Sequence, residues 1–279
     1  DANINVQLSS ISDLCINEAE SVLDFGFPTG GNYKIDGVLK DSLKPSELGI
    51  GTHTIEYELT NSCGTSVDTK TFEIFGLPNV SAGLDAAVCI GDPVTLVGSG
   101  ASTYTWDNNV TNAVAFIPTS TLTYRVIGTD VNGCTNTDSL QITVNDLPNV
   151  DAGQDTSICE GQSIALNASG AQSFNWDNNI TNATDFSPIT TKTYTVSGID
   201  NNGCINTDQV TIIINNNPLV SLSSFTPICN ANSSTIPLVG GIPTGGNYNG
   251  FGVSNNNFSP SVSGAGFHNI TYTYIDSNG

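Results

Sequence analysis

The sequence predicts an all-β chain built as four small antiparallel sandwiches in tandem. Three observations predict it: a repeat visible by eye, short runs of alternating apolar and polar residues, and cysteines spaced once early and once late in each complete repeat. The repeat comes first. Residues 77–146 begin LPNVSAGLDAAVCIGD and residues 147–216 begin LPNVDAGQDTSICEGQ, and the two segments align without a gap, about half of the positions being identical. Cys89/Cys159, Trp106/Trp176, Tyr124/Tyr194, Gly128/Gly198 and Cys134/Cys204 coincide. Equal loop lengths throughout mean two near-copies of one fold.

The flanking segments form a second pair. Phe27–Val38 reads FPTGGNYKIDGV and Ile242–Val253 reads IPTGGNYNGFGV, while GTHTIEYEL (Gly51–Leu59) lines up with GFHNITYTY (Gly266–Tyr274). The order is A-B-B-A′. Module A covers 1–76, module B 77–146, module C 147–216 and module A′ 217–279, and A′ reads as truncated at its C-terminus. Proline marks each boundary (Leu77-Pro78, Leu147-Pro148, Asn217-Pro218), and because proline restricts its own φ and the preceding residue, the junctions should be stiff.

Strands show as period-two alternation. In STYTW (102–106), Tyr104 and Trp106 share a face. In LTYRVIG (122–128), Leu122, Tyr124 and Val126 oppose Thr123, Arg125 and Ile127, and SLQITV (139–144) alternates again. Turn signals at Asp107-Asn108-Asn109 and Asn132-Gly133 separate the runs. Several short strands in about 70 residues make each module an immunoglobulin-like sandwich, with Trp106 and Trp176 as core residues rather than carbohydrate-stacking platforms.

Composition narrows the function. The net charge is −20, from 26 acidic and 6 basic residues, and four of the basic ones (Lys34, Lys40, Lys44, Lys70) precede residue 77, leaving Arg125 and Lys192. Such a surface repels phosphate backbones and anionic lipid, so nucleic-acid binding is excluded as an expectation. No run approaches the ~18 apolar residues of a membrane-spanning helix. With no methionine even at position 1, the chain is expected to be part of a longer product.

Cysteines fall at 15, 63, 89, 134, 159, 204 and 229. No C-x-x-C pair exists, which argues against zinc and redox motifs. One early and one late cysteine per module fits staples within modules: Cys15–Cys63, Cys89–Cys134 and Cys159–Cys204. Each would contribute roughly 3–4 kcal/mol to a marginal core and would imply an oxidising compartment. Cys134 is expected to pin the final hairpin to the loop holding Cys89. Cys229 is left unpaired: either its partner follows Asn278-Gly279, as Cys134 follows Asn132-Gly133, or it is a thiol for intermolecular pairing.

In module B the run from AGxD through CxG and YxW to TYxVxGxDxNGCxNTD, with its counterpart in C, resembles the immunoglobulin-like and PKD-like repeats of Bacteroidota surface proteins. The PTGGNY motif and later HxIxY stretch of A and A′ resemble a sister repeat of the same proteins. The resemblance covers essentially the whole chain. It implies a very large exported protein, type IX secretion, and a role in adhesion or gliding motility at the cell surface, associated with the outer membrane.

Catalysis finds no support. His53 and His268 occupy equivalent positions and read as structural, no nucleophile context is present, and the PTGGNY segments lack the Lys-Ser/Thr of a phosphate loop and read as turns. No enzyme and no firm cofactor are expected. Calcium is the one metal worth weighing: Asp85 and Asp155 lie beyond the junctions, and Asp130 with Asp138, like Asp200 with Asp208, offers oxygen ligands near one hairpin. Asp and Asn are also ordinary turn formers, and turns are the favoured reading, with calcium the alternative. Asp-Ser-Leu at 41–43 and 138–140 resembles a Bacteroidota O-glycosylation signal and makes Ser42 and Ser139 candidate acceptors. Two functions compete. In one the chain is a structural stalk or filament segment whose partners are further repeats or copies of the same chain. In the other its modules are adhesins binding surface glycans, solid surfaces or partner proteins.

Overall fold

The computed structural model describes residues 5–229 and 234–277. Its regular structure is almost entirely β, with single helical turns at Pro45–Leu48, Asp177–Asn179 and Pro260–Ser263, and among the described residues every ladder stays within one of the four segments. The chain is a tandem array of immunoglobulin-like β-sandwich modules. Two compact units, 1–146 and 147–279, organise it.

In module B, Thr103–Trp106, Leu122–Thr129 and Thr135–Asn145 form an antiparallel sheet, and Ala86–Cys89 joins its edge in parallel beside Ile142–Asn145. The opposite layer is thinner: Val94–Thr95 pairs with Ala115–Phe116, and Ser81 bridges Ser99. Alternation fixes the faces. Tyr124, Val126, Leu140 and Ile142 are buried with Trp106 and Leu96, while Arg125, Ile127 and Gln141 face solvent. Leu122, at the start of its strand, departs from the expected pattern and is exposed. Module C repeats every one of these ladders seventy residues further on, around Trp176, Tyr194, Val196, Val210 and Ile212.

Module A uses a five-stranded sheet whose centre is the long hairpin Gly51–Asn61/Gly64–Phe75. Leu14–Cys15 runs parallel to the end of that hairpin, pairing with Ile74–Phe75. Ile35, Leu43, Ile55, Tyr57 and Ile74 form the core. In A′, Asn247–Gly250 pairs with Ile270–Thr273 as Asn32–Ile35 pairs with Gly51–Asn61.

The PTGGNY segments are turns, and a tyrosine explains them. The Tyr57 hydroxyl donates to the Pro28 carbonyl and accepts from Gly31 N–H at 2.8 Å. Its ring lies flat on Gly26 and Gly31, where a Cβ would meet it at 2.6 Å. Tyr272 repeats the arrangement with Pro243, Gly246 and Gly241. At Gly26 and Gly241 the ring occupies the space of a Cβ, and at Gly31 and Gly246 a backbone carbonyl lies closer still, Glu58 O at 2.4 Å and Thr273 O at 2.3 Å.

Candidate functional site: the junction ends of the modules

The position of each cysteine follows from strand register. Cys15, Cys89 and Cys159 end the short parallel edge strands and lie opposite Phe75, Asn145 and Asn215, the last residues of the closing strands. The amide N–H of the following residue donates to that last residue's carbonyl at 2.8–2.9 Å in all three modules. The first cysteine therefore sits at the exit end of its module.

The second cysteine sits at the entry end. In module B the turn Asp130–Cys134 is closed by Asp130 N–H to Cys134 O at 3.0 Å, and Asp130 Oδ1 accepts from the N–H groups of Asn132 and Cys134, both at 2.9 Å. Two residues on, Asn136 Nδ2 donates to the carbonyl of Pro78, the junction proline, at 3.0 Å. Asp200, Asn202, Cys204, Asn206 and Pro148 repeat the construction in module C. In module A, Cys63 occupies the tip of the long hairpin, its N–H on Asn61 Oδ1.

This geometry overturns the expected staples. From Cys134, one residue before the strand Thr135–Asn145, to Cys89, beside Asn145, the chain runs the full length of an eleven-residue strand. At about 3.3 Å per residue that is roughly 35 Å, against the ~7 Å beyond which two Cα atoms cannot be bridged. Cys159–Cys204 fails by the same register, and Cys15–Cys63 by the twelve residues of Gly64–Phe75. Instead Cys15 is bonded to Cys134, with Cα atoms 5.6 Å apart and a sequence separation of 119. The link crosses the sequence boundary at 76 and joins the exit end of module A to the entry end of module B. Cys134 does not pin its hairpin to the loop holding Cys89. Cys89 and Cys204 are also disulfide-bonded, whereas Cys159 and Cys229 carry thiols. Asn278-Gly279, ahead of the expected partner of Cys229, lies outside the described residues.

The candidate calcium ligands are occupied by the backbone. Asp85 Oδ1 accepts from Gln141 N–H and Asp155 Oδ1 from Thr211 N–H, each at 2.7 Å. Asp138 and Asp208 accept from Ala82 and Ala152 N–H at 2.8 Å, and these bonds hold both carboxyls below the usual aspartate range. Asp130 and Asp200 close their turns. Among the described residues no group of three or more His, Cys, Asp or Glu side chains could hold a metal ion. The structure does not assemble the expected calcium ligands, because each carboxylate caps a different backbone amide. A chelator is accordingly expected to leave the thermal midpoint unchanged; a fall of several degrees on chelation would return calcium to consideration.

Of the two candidate acceptor serines, Ser139 is exposed on the closing strand, while Ser42 is half-buried and donates to Glu20. Trp106 and Trp176 are core residues. Each indole N–H donates to an asparagine, Asn112 at 3.0 Å and Asn182 at 2.9 Å, whose oxygen also takes a backbone N–H. Nothing local in the sequence marks these asparagines; their signal is retention in both copies.

His53 is held by hydrogen bonds on both ring nitrogens. Burial opposes the charged ring, but Nδ1 lies 2.6 Å from Asp36 Oδ2 and Nε2 3.0 Å from Gly49 O, and together these bonds raise its pKa while His53 lowers that of Asp36. The raised histidine contributes stability below its unfolded pKa of about 6.5 that is lost as pH rises through the folded value. The lowered aspartate contributes stability above about 3.9 that is lost as pH falls. The pair therefore favours folding most between about pH 4 and 6.5. Urea midpoints should decline above that window in the native chain and less so in Asp36→Asn; parallel profiles would refute the assignment. In A′ the same histidine position, His268, keeps the Gly264 carbonyl, and Phe251 replaces the aspartate.

Module A′ differs in one more respect. An apolar groove of about 390 Å³, lined in part by Phe225, Ile228, Leu238, Phe258 and Phe267, opens on it. No helix of the described residues is long and apolar enough to cross a membrane.

No known family profile matches the chain, and no curated protein does. Among solved structures it is similar to the three-domain I-band fragment I67–I69 of titin at 11% identity, covering 77% of this chain and 100% of that one with a TM-score of 0.34. Drosophila OTK extracellular domains 3–5 align at 11% identity over 77% of this chain and 98% of that one, with a TM-score of 0.28. A Bacteroides ovatus protein, SGBP-B of the mixed-linkage glucan utilization locus, solved with a mixed-linkage heptasaccharide, aligns at 14% identity over 86% of this chain and 71% of that one, with a TM-score of 0.21. Scores this low carry no functional argument.

Proposed function

We propose that the chain is a structural segment of an extracellular stalk or filament, part of a large repeat protein of the cell surface that supports adhesion or gliding. The observation that carries this reading is the Cys15–Cys134 bond, which spends a disulfide on holding two modules together. A ligand-binding module gains little from that; a spacer that must keep its neighbours in line gains directly. Disulfides persist in oxidising surroundings, which supports an extracellular setting. The ungapped repetition of B in C points the same way, because an array built for reach multiplies one unit. The resemblance of the repeats supports a Bacteroidota surface protein, exported by type IX secretion and associated with the outer membrane, with further repeats of its own chain as principal partners.

The second reading, an adhesin, rests on the apolar groove of A′. One experiment separates the two. The oxidised chain is applied to a glycan array and to glass and hydrophobic surfaces, beside a variant with Phe267→Ser in the groove. Binding near background for both supports the stalk. Saturable binding that Phe267→Ser abolishes would establish the adhesin instead.

A further inference from the structure

In modules A, B and C the two cysteines lie at opposite ends: the first beside the last residue of the closing strand, the second in the turn that precedes that strand. An exit cysteine cannot reach its own entry cysteine along a strand of ~35 Å. The entry cysteine it can meet belongs to the module that follows, as Cys15 meets Cys134. Modules B and C match this register residue for residue, including the Asn136–Pro78 and Asn206–Pro148 bonds that hold the entry turn against the junction proline.

We propose that the disulfides are the repeating covalent joints of the array: the first cysteine of each module bonds to the second cysteine of the next. Carried one repeat further by the ungapped alignment of B and C, the rule predicts Cys89 with Cys204 as the next pair. The rule is independent of whether the array is a stalk or an adhesin. Each joint forms by thiol–disulfide exchange with an external disulfide oxidant. The two thiols give up two electrons and two protons, one S–S bond forms between the modules, and the oxidant's S–S bond opens to a dithiol.

The scarcity of basic residues makes the test direct. Thiols of the oxidised chain are alkylated and the chain is cut with trypsin without reduction. Cysteines then fall in peptides 1–34, 41–70, 71–125, 126–192 and 193–279. The joints predict two crosslinked species, 1–34 with 126–192 and 71–125 with 193–279. Further cleavage at aspartate separates Cys134 from Cys159 and Cys204 from Cys229, assigning the bonds. Linkage of 71–125 to 126–192, or recovery of Cys204 joined to Cys159, would overturn the rule.

Discussion

Cys134→Ser is expected to lower the unfolding free energy of residues 1–146 by roughly 4–5 kcal/mol, the loss of chain-closure entropy for a loop of 119 residues. Few single substitutions reach that size. The bond closes the loop between the exit strand of one module and the entry turn of the next, so its loss also frees the two modules to unfold separately. Urea denaturation followed by Trp106 fluorescence should then show a lower midpoint and a shallower transition. Cys15→Ser should do the same, and the double variant should be no worse than either single one, because both remove one bond. A double variant that costs the sum of the two would show that the cysteines act apart.

Gly100→Ala is expected to destabilise module B by about 3 kcal/mol or more. Gly100 has a φ of +84°, and a Cβ there would lie 1.9 Å from the carbonyl oxygen of Asn79. That oxygen is backbone, one residue past the junction proline, in the segment held to its neighbour by the reciprocal Ser81–Ser99 hydrogen bonds. It cannot yield without pulling the entry end of the module apart. Gly133→Ala is the matched control. Its φ of +90° carries a similar strain, but nothing lies within 4 Å of its Cβ position. A loss of about 1 kcal/mol is expected there. Equal effects at the two sites would mean that strain alone, and not the close approach to Asn79, makes glycine necessary.

The fold was legible because local pattern and global fold agree. Alternation placed Trp106, Tyr124, Val126 and Leu140 inside, and ungapped repetition made B and C equivalent. PTGGNY was readable as a turn, although the tyrosine that fills it lies 26 residues away at Tyr57 and Tyr272 and left no local mark. The disulfides were misread for a definite reason. Two cysteines 45 residues apart in a module of seventy look like neighbours in a small fold, and only the register of a four-residue parallel edge strand says otherwise. Parallel pairing between the first and last strands of a module depends on contacts far apart in sequence, which no window on the chain records. The NGC turn could have given the warning: a cysteine just before an eleven-residue strand must lie a whole strand length from that strand's far end. The aspartates were legible as turn formers but not as caps, because Asp85 and Asp138 each meet an amide 56 residues away.

The bond between Cys15 and Cys134 also decides how the protein answers a pull. Tension arriving at residue 15 passes through two sulfur atoms to residue 134, so the residues between them cannot be drawn out as a separate step. A step of 119 residues is withheld, roughly 400 Å of slack at full extension. Even with the hydrogen bonds of both modules broken, an oxidised tether cannot lengthen by that amount, and a reduced one can.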